Sequence, residues 1–301
     1  MAYSLENRLV VGVSSRALFD LTKENDIFEK EGVQAYCEYQ REHENDILKP
    51  GPGFKLIKAL LGLNKLGDGK ERVEVIIMSR NSADTSLRVF NSIEHYGLNI
   101  SRAVLASGGS LAPYLAAFKT DLFLSAYEDD VQAAINSGIA AGIICNDVDS
   151  DYNAEDVIKQ IRIAFDGDAV LFTDESEMIY QKEGLEAFEE NERKNADKPL
   201  PQGPFAKFLK TISDIQKEFN PEESPIRTAL VTARSAPAHE RVIRTLRAWN
   251  VRIDEAFFLG GVSKRDVLEA FGAHIFFDDQ AIHTTPASEV VPSARVPYKT
   301  K

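Results

Sequence analysis

Two aspartates separated by one glycine follow an apolar segment in the second half of the chain. Asp166, Gly167 and Asp168 come directly after the run Arg-Ile-Ala-Phe at 162–165. Where a strand ends, the chain can curl so that both carboxylates reach one ligand, and the glycine allows close approach of the backbone. One carboxylate could attack phosphorus and bind a hard cation while the other exchanges a proton with the leaving oxygen. Acidic pairs are also common in plain loops, so this pair alone does not establish a site.

Three later segments each end a predicted strand or turn on polar side chains. Thr232 ends an apolar strand, Lys264 follows the turn at Gly260-Gly261, and the pair Asp278-Asp279 ends another strand. Each also has a purely structural interpretation: a helix N-cap for the threonine, a solvated charge for the lysine and a turn for the acids. Four such segments in this order favour a phosphate-transfer site at the carboxyl ends of parallel strands.

These segments resemble the four motifs of haloacid-dehalogenase-like phosphohydrolases. The strings AFDGDAVLFTDESE, PLPQGPF, PIRTALVTARSA and HIFFDDQ are similar to those of the cytosolic 5′-nucleotidase I family, and the similarity runs through most of the chain. The resemblance implies a magnesium-dependent nucleotidase that removes the phosphate from nucleoside 5′-monophosphates, with AMP as the usual substrate.

The resemblance also implies a role for each catalytic residue. Asp166 would be the nucleophile that forms an aspartyl-phosphate, and Asp168 would protonate the leaving 5′-oxygen and then act as base towards water. Thr232 would hold a phosphoryl oxygen, and Lys264 would offset negative charge in the transition state.

The implied metal and substrate contacts involve neighbouring residues. Mg²⁺ would be bound by oxygen atoms of four aspartates: Asp166, Asp168 through its backbone carbonyl, Asp278 and, directly or indirectly, Asp279. The substrate phosphate would be contacted by Gly167, Ala233, Arg234 and Ser235. Because Arg234 has an equivalent, Arg80, in the first half of the chain, a structural role for this arginine is equally consistent with the sequence.

The two halves of the chain align with each other. Three pairs of segments carry the alignment: Phe28–Tyr36 with Tyr180–Phe188, Gly51-Pro52 with Gly203-Pro204, and Ile76–Arg80 with Leu230–Arg234. We therefore expect two copies of one unit, at residues 1–150 and 151–301.

The hydrophobic pattern alternates between strands and helices within each copy. This predicts an α/β fold of doubly wound parallel sheets, haloacid-dehalogenase-like and Rossmann-related, in two tandem units with helical cap insertions at about 22–70 and 175–224. Strands are expected near 9–14, 73–78, 102–106, 121–125, 161–166, 226–231, 255–259 and 274–277. Helices are expected near 84–96, 110–118, 128–137, 237–249 and 264–272, and a further apolar run covers 139–145.

The first half lacks the catalytic residues. The aligned positions hold Ser14 for the nucleophile, Arg16 for the acid, Met78 for the threonine, Leu111 for the lysine and Ser125-Ala126 for the metal-binding acids. This half is therefore predicted not to hydrolyse phosphate esters. It is either a scaffold or a pocket in which Ser14, Ser15 and Arg16 bind an anion such as a regulatory nucleotide. The nearby Asp129-Asp130 pair is interpreted as an exposed helix start.

The sequence gives weaker support for a functional role of several other residues. His283 is interpreted as a solvated loop residue, and the spacing of the histidines does not suit zinc. Tyr180, Phe205 and Phe208 could stack on a base, although Phe205 and Phe208 are interpreted first as the core of the cap. The two cysteines, Cys37 and Cys145, are expected to be reduced.

Composition limits the partners. A net charge of −12 argues against nucleic acid and anionic membranes, and no apolar run approaches the roughly 20 residues of a membrane span. We expect a soluble cytoplasmic protein, and a homo-oligomer is left open. Two alternatives to hydrolysis are transfer of the phosphate to a nucleoside and a non-catalytic nucleotide and magnesium sensor.

Overall fold

The computed structural model describes residues 4–144 and 158–300. Contacts within the chain divide it into two units, one formed by Met1–Ile139 with Asp149–Ile158 and the other by Ala140–Val148 with Lys159–Lys301. The boundary expected at residue 150 and the second cysteine, Cys145, both lie outside the described residues. The assignment of one catalytic and one degenerate domain therefore stays a prediction.

The first unit is built on buried parallel strands. They are β1 (Leu9–Val13), β2 (Val73–Ser79), β3 (Arg102–Leu105) and β4 (Leu122–Ser125), which lie in the order β3-β2-β1-β4. β1 and β2 are buried along their whole length and consist largely of valine and isoleucine. Such continuous apolar runs are typical of parallel strands that are covered on both faces.

Helices connect these strands. They are α1 (Ser15–Leu18), α2 (Thr22–Glu42), α3 (Phe54–Gly62), α4 (Leu87–His95), α5 (Ala112–Ala117) and α6 (Glu128–Asn136), and a 3₁₀ turn at Leu63–Lys65 follows α3. The predicted strands and helices of this half agree with the structure within a few residues at each end, which is the usual uncertainty of such boundaries.

The second unit has its own largely parallel strands. They are β5 (Ala140–Ile144), β6 (Ile161–Phe165), β7 (Ile226–Thr232), β8 (Glu255–Phe258), β9 (Ile275–Asp278) and β10 (Ser293–Arg295), in the order β5-β10-β9-β6-β7-β8. Among the described strands of this unit, β5 and β10 pair in antiparallel fashion and the other neighbours pair in parallel. The apolar run at 139–145 contributes β5, whereas β10 was not predicted.

The helices of this unit, except the last, lie where helices were predicted. They are α7 (Glu175–Glu183), α8 (Leu185–Lys194), α9 (Ala206–Gln216), α10 (His239–Ala248), α11 (Arg265–Phe271) and α12 (Ala281–Ser288). A wide turn at Gly167–Leu171 follows β6, and the N–H of Phe172 donates to the carbonyl of Gly167 to close it. The α/β fold class is therefore confirmed. No helix among the described residues is both long and apolar enough to cross a membrane.

Four buried phenylalanines pack together in the second unit. Phe205 and Phe208, at the start of α9, are almost fully buried against Phe165 of β6 and Phe277 of β9. The ring centroids of Phe205 and Phe277 are 4.6 Å apart. We expected Phe205 and Phe208 to form the core of the cap. This expectation is wrong, because their rings pack against the strands β6 and β9. Their burial also excludes stacking on a substrate base.

Several local features recur at aligned positions of the two units. Gly32 bends α2 with φ 88° and ψ 179°, and Gly184 separates α7 from α8 with φ 87° and ψ −178°. These angles are accessible mainly to glycine. Three contacts also recur. The ring pair Phe28–Tyr36 of the first unit has a counterpart in Tyr180–Phe188, both edge-to-face. The N–H of Leu48 donates to Ser92 Oγ as that of Leu200 does to Thr245 Oγ1, and the isolated β-bridge Phe19–Pro50 corresponds to Phe172–Gln202.

Candidate active site

The carboxyl ends of adjacent strands in the second unit bring the predicted site residues together. Phe165 of β6 pairs with Phe277 of β9 and with Leu230 of β7. Asp166 directly follows Phe165, and its N–H donates to the carbonyl of Phe277. The register therefore places Asp166 beside Asp278, with the end of β7 on its other side.

Three carboxylates form a buried cluster, and an ammonium group binds two of them. Asp166, Asp278 and Asp279 each offer an oxygen atom, and these atoms lie within 4.8 Å of one another. Lys264 Nζ lies 2.7 Å from Asp166 Oδ1 and 2.6 Å from Asp278 Oδ2. All four side chains are buried. The lysine offsets only one of three negative charges, so the cluster is short of positive charge.

This shortage of positive charge is seen in the raised pKa values of two of the carboxylates. Burial, reinforced by Asp278, raises the pKa of Asp166 to about 7 even though Lys264 acts in the opposite direction. Burial and the charge of Asp166 likewise raise the pKa of Asp279 to about 7. Burial tends to lower the pKa of Lys264, but the two adjacent carboxylates outweigh it and hold this pKa above its ordinary value. The lysine therefore stays protonated.

The cluster suits a metal ion by its donor atoms. Asp279 Oδ1 is buried and has no hydrogen-bond partner among the described residues, although its other oxygen accepts a hydrogen bond from Tyr298. An uncompensated buried carboxylate oxygen is costly unless a cation or proton meets it. Carboxylate oxygens are the ligands that hard divalent cations prefer. Tyr298 was not predicted, and nothing in the sequence around it marks it as part of the site.

Asp168 points to a different partner from Asp166. Both of its oxygens accept hydrogen bonds from Arg234, at 2.7 Å from Nε and 2.6 Å from Nη2. Arg234 also donates from Nη1 to Glu192 Oε2 at 2.5 Å. Its guanidinium group stacks 5.3 Å from the ring centroid of Phe188. Arg234 is therefore fixed on three sides, and it holds the Asp168 carboxylate in one orientation.

Glu192 anchors this arginine from α8. Its side chain is fully buried, and it accepts further hydrogen bonds from Arg241 Nη1 at 2.9 Å and from Ser176 Oγ at 3.0 Å. Burial tends to raise the pKa of Glu192, but the two arginines outweigh it and the pKa lies below its ordinary value. Glu192 was not predicted. Its position four residues after the buried Phe188, on the same helix face, was the available signal.

Thr232 and Gly167 lie side by side. A Cβ atom at Gly167 would stand 3.3 Å from Thr232 Oγ1, and this hydroxyl accepts a hydrogen bond from the N–H of Arg234 at 3.3 Å. Ala233 and Ser235, which flank Arg234, are exposed. The structure thus brings the predicted nucleophile, acid, hydroxyl and lysine to the ends of neighbouring strands, with Ala233 and Ser235 at the rim.

Gly203 allows the segment before α9 to pass close to the loop after β6. A Cβ atom at this position would meet the carbonyl oxygens of Phe172 at 2.3 Å and Val170 at 2.6 Å. The N–H of Gly203 instead donates to the carbonyl of Leu171 at 2.8 Å. Gly203 therefore fixes the PLPQGPF segment against the chain that carries Asp168.

His283 is half-buried on α12 rather than on a solvated loop. Burial, together with the charge of Lys264, lowers its pKa to about 4. The histidine is therefore neutral near pH 7, and its interpretation as a solvated residue was wrong.

Asp130 is a second correction, in the first unit. Glu128, Asp129 and Asp130 do form the first turn of α6, as predicted. Asp130, however, is buried rather than exposed, and its Oδ1 accepts a hydrogen bond from Arg80 Nε at 2.7 Å.

Comparison with known proteins identifies relatives over the whole chain. A sequence model of the 5′-nucleotidase family matches residues 1–301. Human cytosolic 5′-nucleotidase 1B is 40% identical over 298 residues, which are 95% of this chain and 48% of the human protein. The chain thus spans about half the length of this relative. Both comparisons point to 5′-nucleotidases, which are hydrolases.

Among solved structures, a chain from the Pnkp1/Rnl/Hen1 complex matches with a TM-score of 0.32 and 10% identity. That match covers 100% of this chain and 99% of the other. A similarity this low carries no argument about fold or function.

Proposed function

Because the chain belongs to the 5′-nucleotidase family, as its motifs predicted, we propose that it hydrolyses nucleoside 5′-monophosphates, AMP first among them, to nucleoside and phosphate. The cluster of Asp166, Asp278 and Asp279, with Lys264 bound to the first two, is the observation that carries this proposal. An aspartate can attack a dianionic phosphate only where positive charge offsets the repulsion. A buried lysine together with a cation-binding set of oxygens meets that requirement.

In the first step an oxygen of Asp166 attacks phosphorus. The bond from phosphorus to the 5′-oxygen breaks, and Asp168 gives its proton to that oxygen, so that the nucleoside leaves and an aspartyl-phosphate remains. Lys264, 2.7 Å from Asp166, would offset charge on the nucleophile and the phosphoryl group.

In the second step a water molecule attacks the phosphorus of the aspartyl-phosphate. Asp168 takes a proton from this water, phosphate leaves, and the Asp166 carboxylate is restored. Asp168 must therefore exchange protons while Arg234 holds it. The two hydrogen bonds from Arg234 orient the carboxylate, and we propose that one of them opens when Asp168 carries the proton.

We assign the metal site to Asp166, Asp278, Asp279 and the backbone carbonyl of Asp168, and we propose Mg²⁺ as the metal. When bound, Mg²⁺ would neutralise negative charge on the phosphate and stabilise the ionised form of Asp166. The unpartnered oxygen of Asp279 supports a direct role for this residue in cation binding.

The phosphate pocket that we propose lies between Gly167 and the segment Thr232–Ser235. Thr232 Oγ1 would donate to a phosphoryl oxygen, and Gly167 leaves space for it because no side chain occupies that position. The backbone of Ala233 and the exposed Ser235 would complete the rim of the pocket. Arg234 is already bonded to Asp168 and Glu192, so we assign it to positioning rather than to direct phosphate binding.

We further propose that the two units are tandem haloacid-dehalogenase-like copies and that the second is catalytic. The strand order β3-β2-β1-β4 of the first unit matches β8-β7-β6-β9 of the second, which supports the proposal. The recurring bends at Gly32 and Gly184 support it as well. The human relative's name describes a cytosolic protein, in keeping with the cytoplasmic location that we propose here.

A panel assay tests the proposed function. Phosphate release is measured from nucleoside 5′-monophosphates, with Mg²⁺ or with a chelator, and in the presence or absence of a nucleoside acceptor. Mg²⁺-dependent release from AMP is expected. Formation of a new monophosphate from the acceptor would favour phosphotransfer over hydrolysis. Tight binding of AMP and Mg²⁺ with no product of either kind would favour the sensor and contradict the proposal.

A further inference from the structure

The first unit contains a cavity of about 490 Å³ at the carboxyl ends of its strands. Ser14, Ser15 and Arg16 follow β1 and line it on one side, and Ser79 and Arg80 line it at the end of β2. The volume lies in the range of small-molecule binding sites. By the alignment of the two halves, this cavity occupies the position that the active site has in the second unit.

The charge of this position is inverted relative to the second unit. There, among the described residues, the cations that pair with the four aspartates are Lys264 and Arg234, and Arg234 binds Asp168. In the first unit Arg16 stands in place of that aspartate, and the equivalent arginine, Arg80, binds Asp130 from α6 instead. The first unit therefore has an arginine at the position where the second unit has the Asp168 carboxylate.

Arg16 has no carboxylate partner among the described residues. Its Nη1 donates to Asn25 Oδ1 at 2.8 Å, its guanidinium carbon lies 5.4 Å from the ring centroid of Tyr127, and its Nε is buried without a hydrogen-bond partner. The acids that line the cavity are already paired, Asp130 with Arg80 and Glu24 with Arg88. Arg16 and Arg80 thus balance Glu24 and Asp130 in the lining, and Arg16 is the cation of the lining that pairs with no carboxylate of the described residues.

Aromatic side chains face the same cavity. Phe28, Tyr36 and Tyr127 line it, and the ring of Phe28 meets the ring of Tyr36 edge-on at 5.9 Å. Phe28 is 44% exposed and Tyr127 is 38% exposed, although large rings of this kind are usually covered. Exposed ring faces beside an arginine are suited to stacking a planar base.

We propose that this cavity binds a nucleoside monophosphate without a metal ion and without hydrolysing it. Arg16, with the hydroxyls of Ser15 and Ser79, would bind the phosphate, and Phe28 and Tyr127 would contact the base. A single unpaired arginine matches one phosphate group rather than a polyphosphate chain. Hydrolysis is excluded because Ser14, whose Oγ accepts from the N–H of Ala17, replaces the nucleophile and Met78 replaces the threonine.

Equilibrium binding of AMP in EDTA isolates this site. Without a cation the acidic cluster of the second unit repels phosphate, so calorimetry on the full chain should detect a single AMP site. Arg16→Ala should weaken AMP binding about tenfold or more, because a charge-assisted hydrogen bond is lost. The matched control Arg41→Ala, which removes an exposed arginine of α2 outside the cavity, should leave binding unchanged.

Two further measurements distinguish the contribution of the phosphate to AMP binding from that of the base. Phe28→Ala changes an exposed side chain and should leave folding intact. It should weaken AMP binding about fivefold or more while leaving the binding of inorganic phosphate unchanged. Adenosine without phosphate should bind more weakly than AMP, and Arg16→Ala should not affect adenosine binding.

The result does not depend on the nucleotidase activity. Asp166→Asn should abolish turnover and yet leave AMP binding in EDTA intact. Absence of AMP binding in EDTA would overturn the proposal, as would binding that survives in a folded Arg16→Ala protein or is lost in Asp166→Asn. Equal affinity for AMP and inorganic phosphate would refute the contact with the base.

Discussion

Replacement of Lys264 by methionine should destabilise the second unit in the absence of metal. Nζ lies 2.7 Å from Asp166 and 2.6 Å from Asp278, and the lysine side chain is 2% exposed. Removing one partner of a buried ion pair costs about 3–5 kcal/mol because the remaining charges are left uncompensated. A unit of this size loses about 3 °C of melting temperature per kcal/mol, so Lys264→Met should melt about 10–15 °C lower in EDTA.

Added Mg²⁺ should stabilise Lys264→Met more than the wild-type protein, because three carboxylates then face no positive charge but the cation. Scanning calorimetry in EDTA and in Mg²⁺ measures both effects. Lys210→Met, which removes an exposed lysine of α9, is the matched control and should melt like the wild type in both buffers. The reasoning is refuted if Lys264→Met melts like Lys210→Met in EDTA.

Two other parts of the second unit give predictions about stability and pH. Gly203→Ala should cost about 1–3 kcal/mol or more, because its Cβ would lie 2.3 Å from a backbone oxygen, whereas Gly62→Ala in open space should be neutral or stabilise by up to about 1 kcal/mol. Urea unfolding measures both, and equal stabilities would contradict the account. The Glu192→Gln protein should be less stable than the wild type at pH 7, and its kcat should be lower because Arg234 is held less firmly. This loss of stability should become smaller as the pH falls through and below 4.5, the ordinary carboxyl pKa, because the pKa of Glu192 is lowered in the folded state. A deficit in thermal melts that is the same at pH 3.5 and pH 7 would contradict this.

The strands and the strand-end residues were the predictable part of the structure. Apolar runs such as Ile226–Val231 mark buried parallel strands, and parallel strands end at the same edge of a sheet. The meeting of Asp166 with Asp278 therefore follows from sequence pattern alone. The motifs also identified the family correctly.

The residues behind the site were not predictable in the same way. Glu192 and Tyr298 reach Arg234 and Asp279 through tertiary packing. The sequence signal for Glu192 is limited to its spacing from Phe188, and none marks Tyr298. Phe205 and Phe208 lie in the segment at about 175–224 that was predicted as a helical cap, whereas the apolar faces of β6 and β9 require cover and place these rings in the core. The sequence pattern of a segment shows its helical or strand periodicity, but it does not show which part of the fold the segment packs against.

The environment of Arg16, which follows β1, was also only partly predictable from the sequence. The sequence showed that Arg16 replaces an aspartate and allowed either a scaffold or an anion pocket. It did not show that Asp130 would take Arg80 as its partner, because that contact depends on the packing of α6 beside the strand ends. That Arg16 is left without a carboxylate partner among the described residues is a property of the folded unit.

The most direct test of the central claim is phosphate release from AMP by Asp166→Asn. Asp214→Asn, on the exposed face of α9, is the matched control because it makes the same chemical change in the same unit. With Mg²⁺ present, the wild type and Asp214→Asn are predicted to release phosphate at equal rates while Asp166→Asn releases none. Release by a folded Asp166→Asn at the wild-type rate would contradict the assignment of the nucleophile.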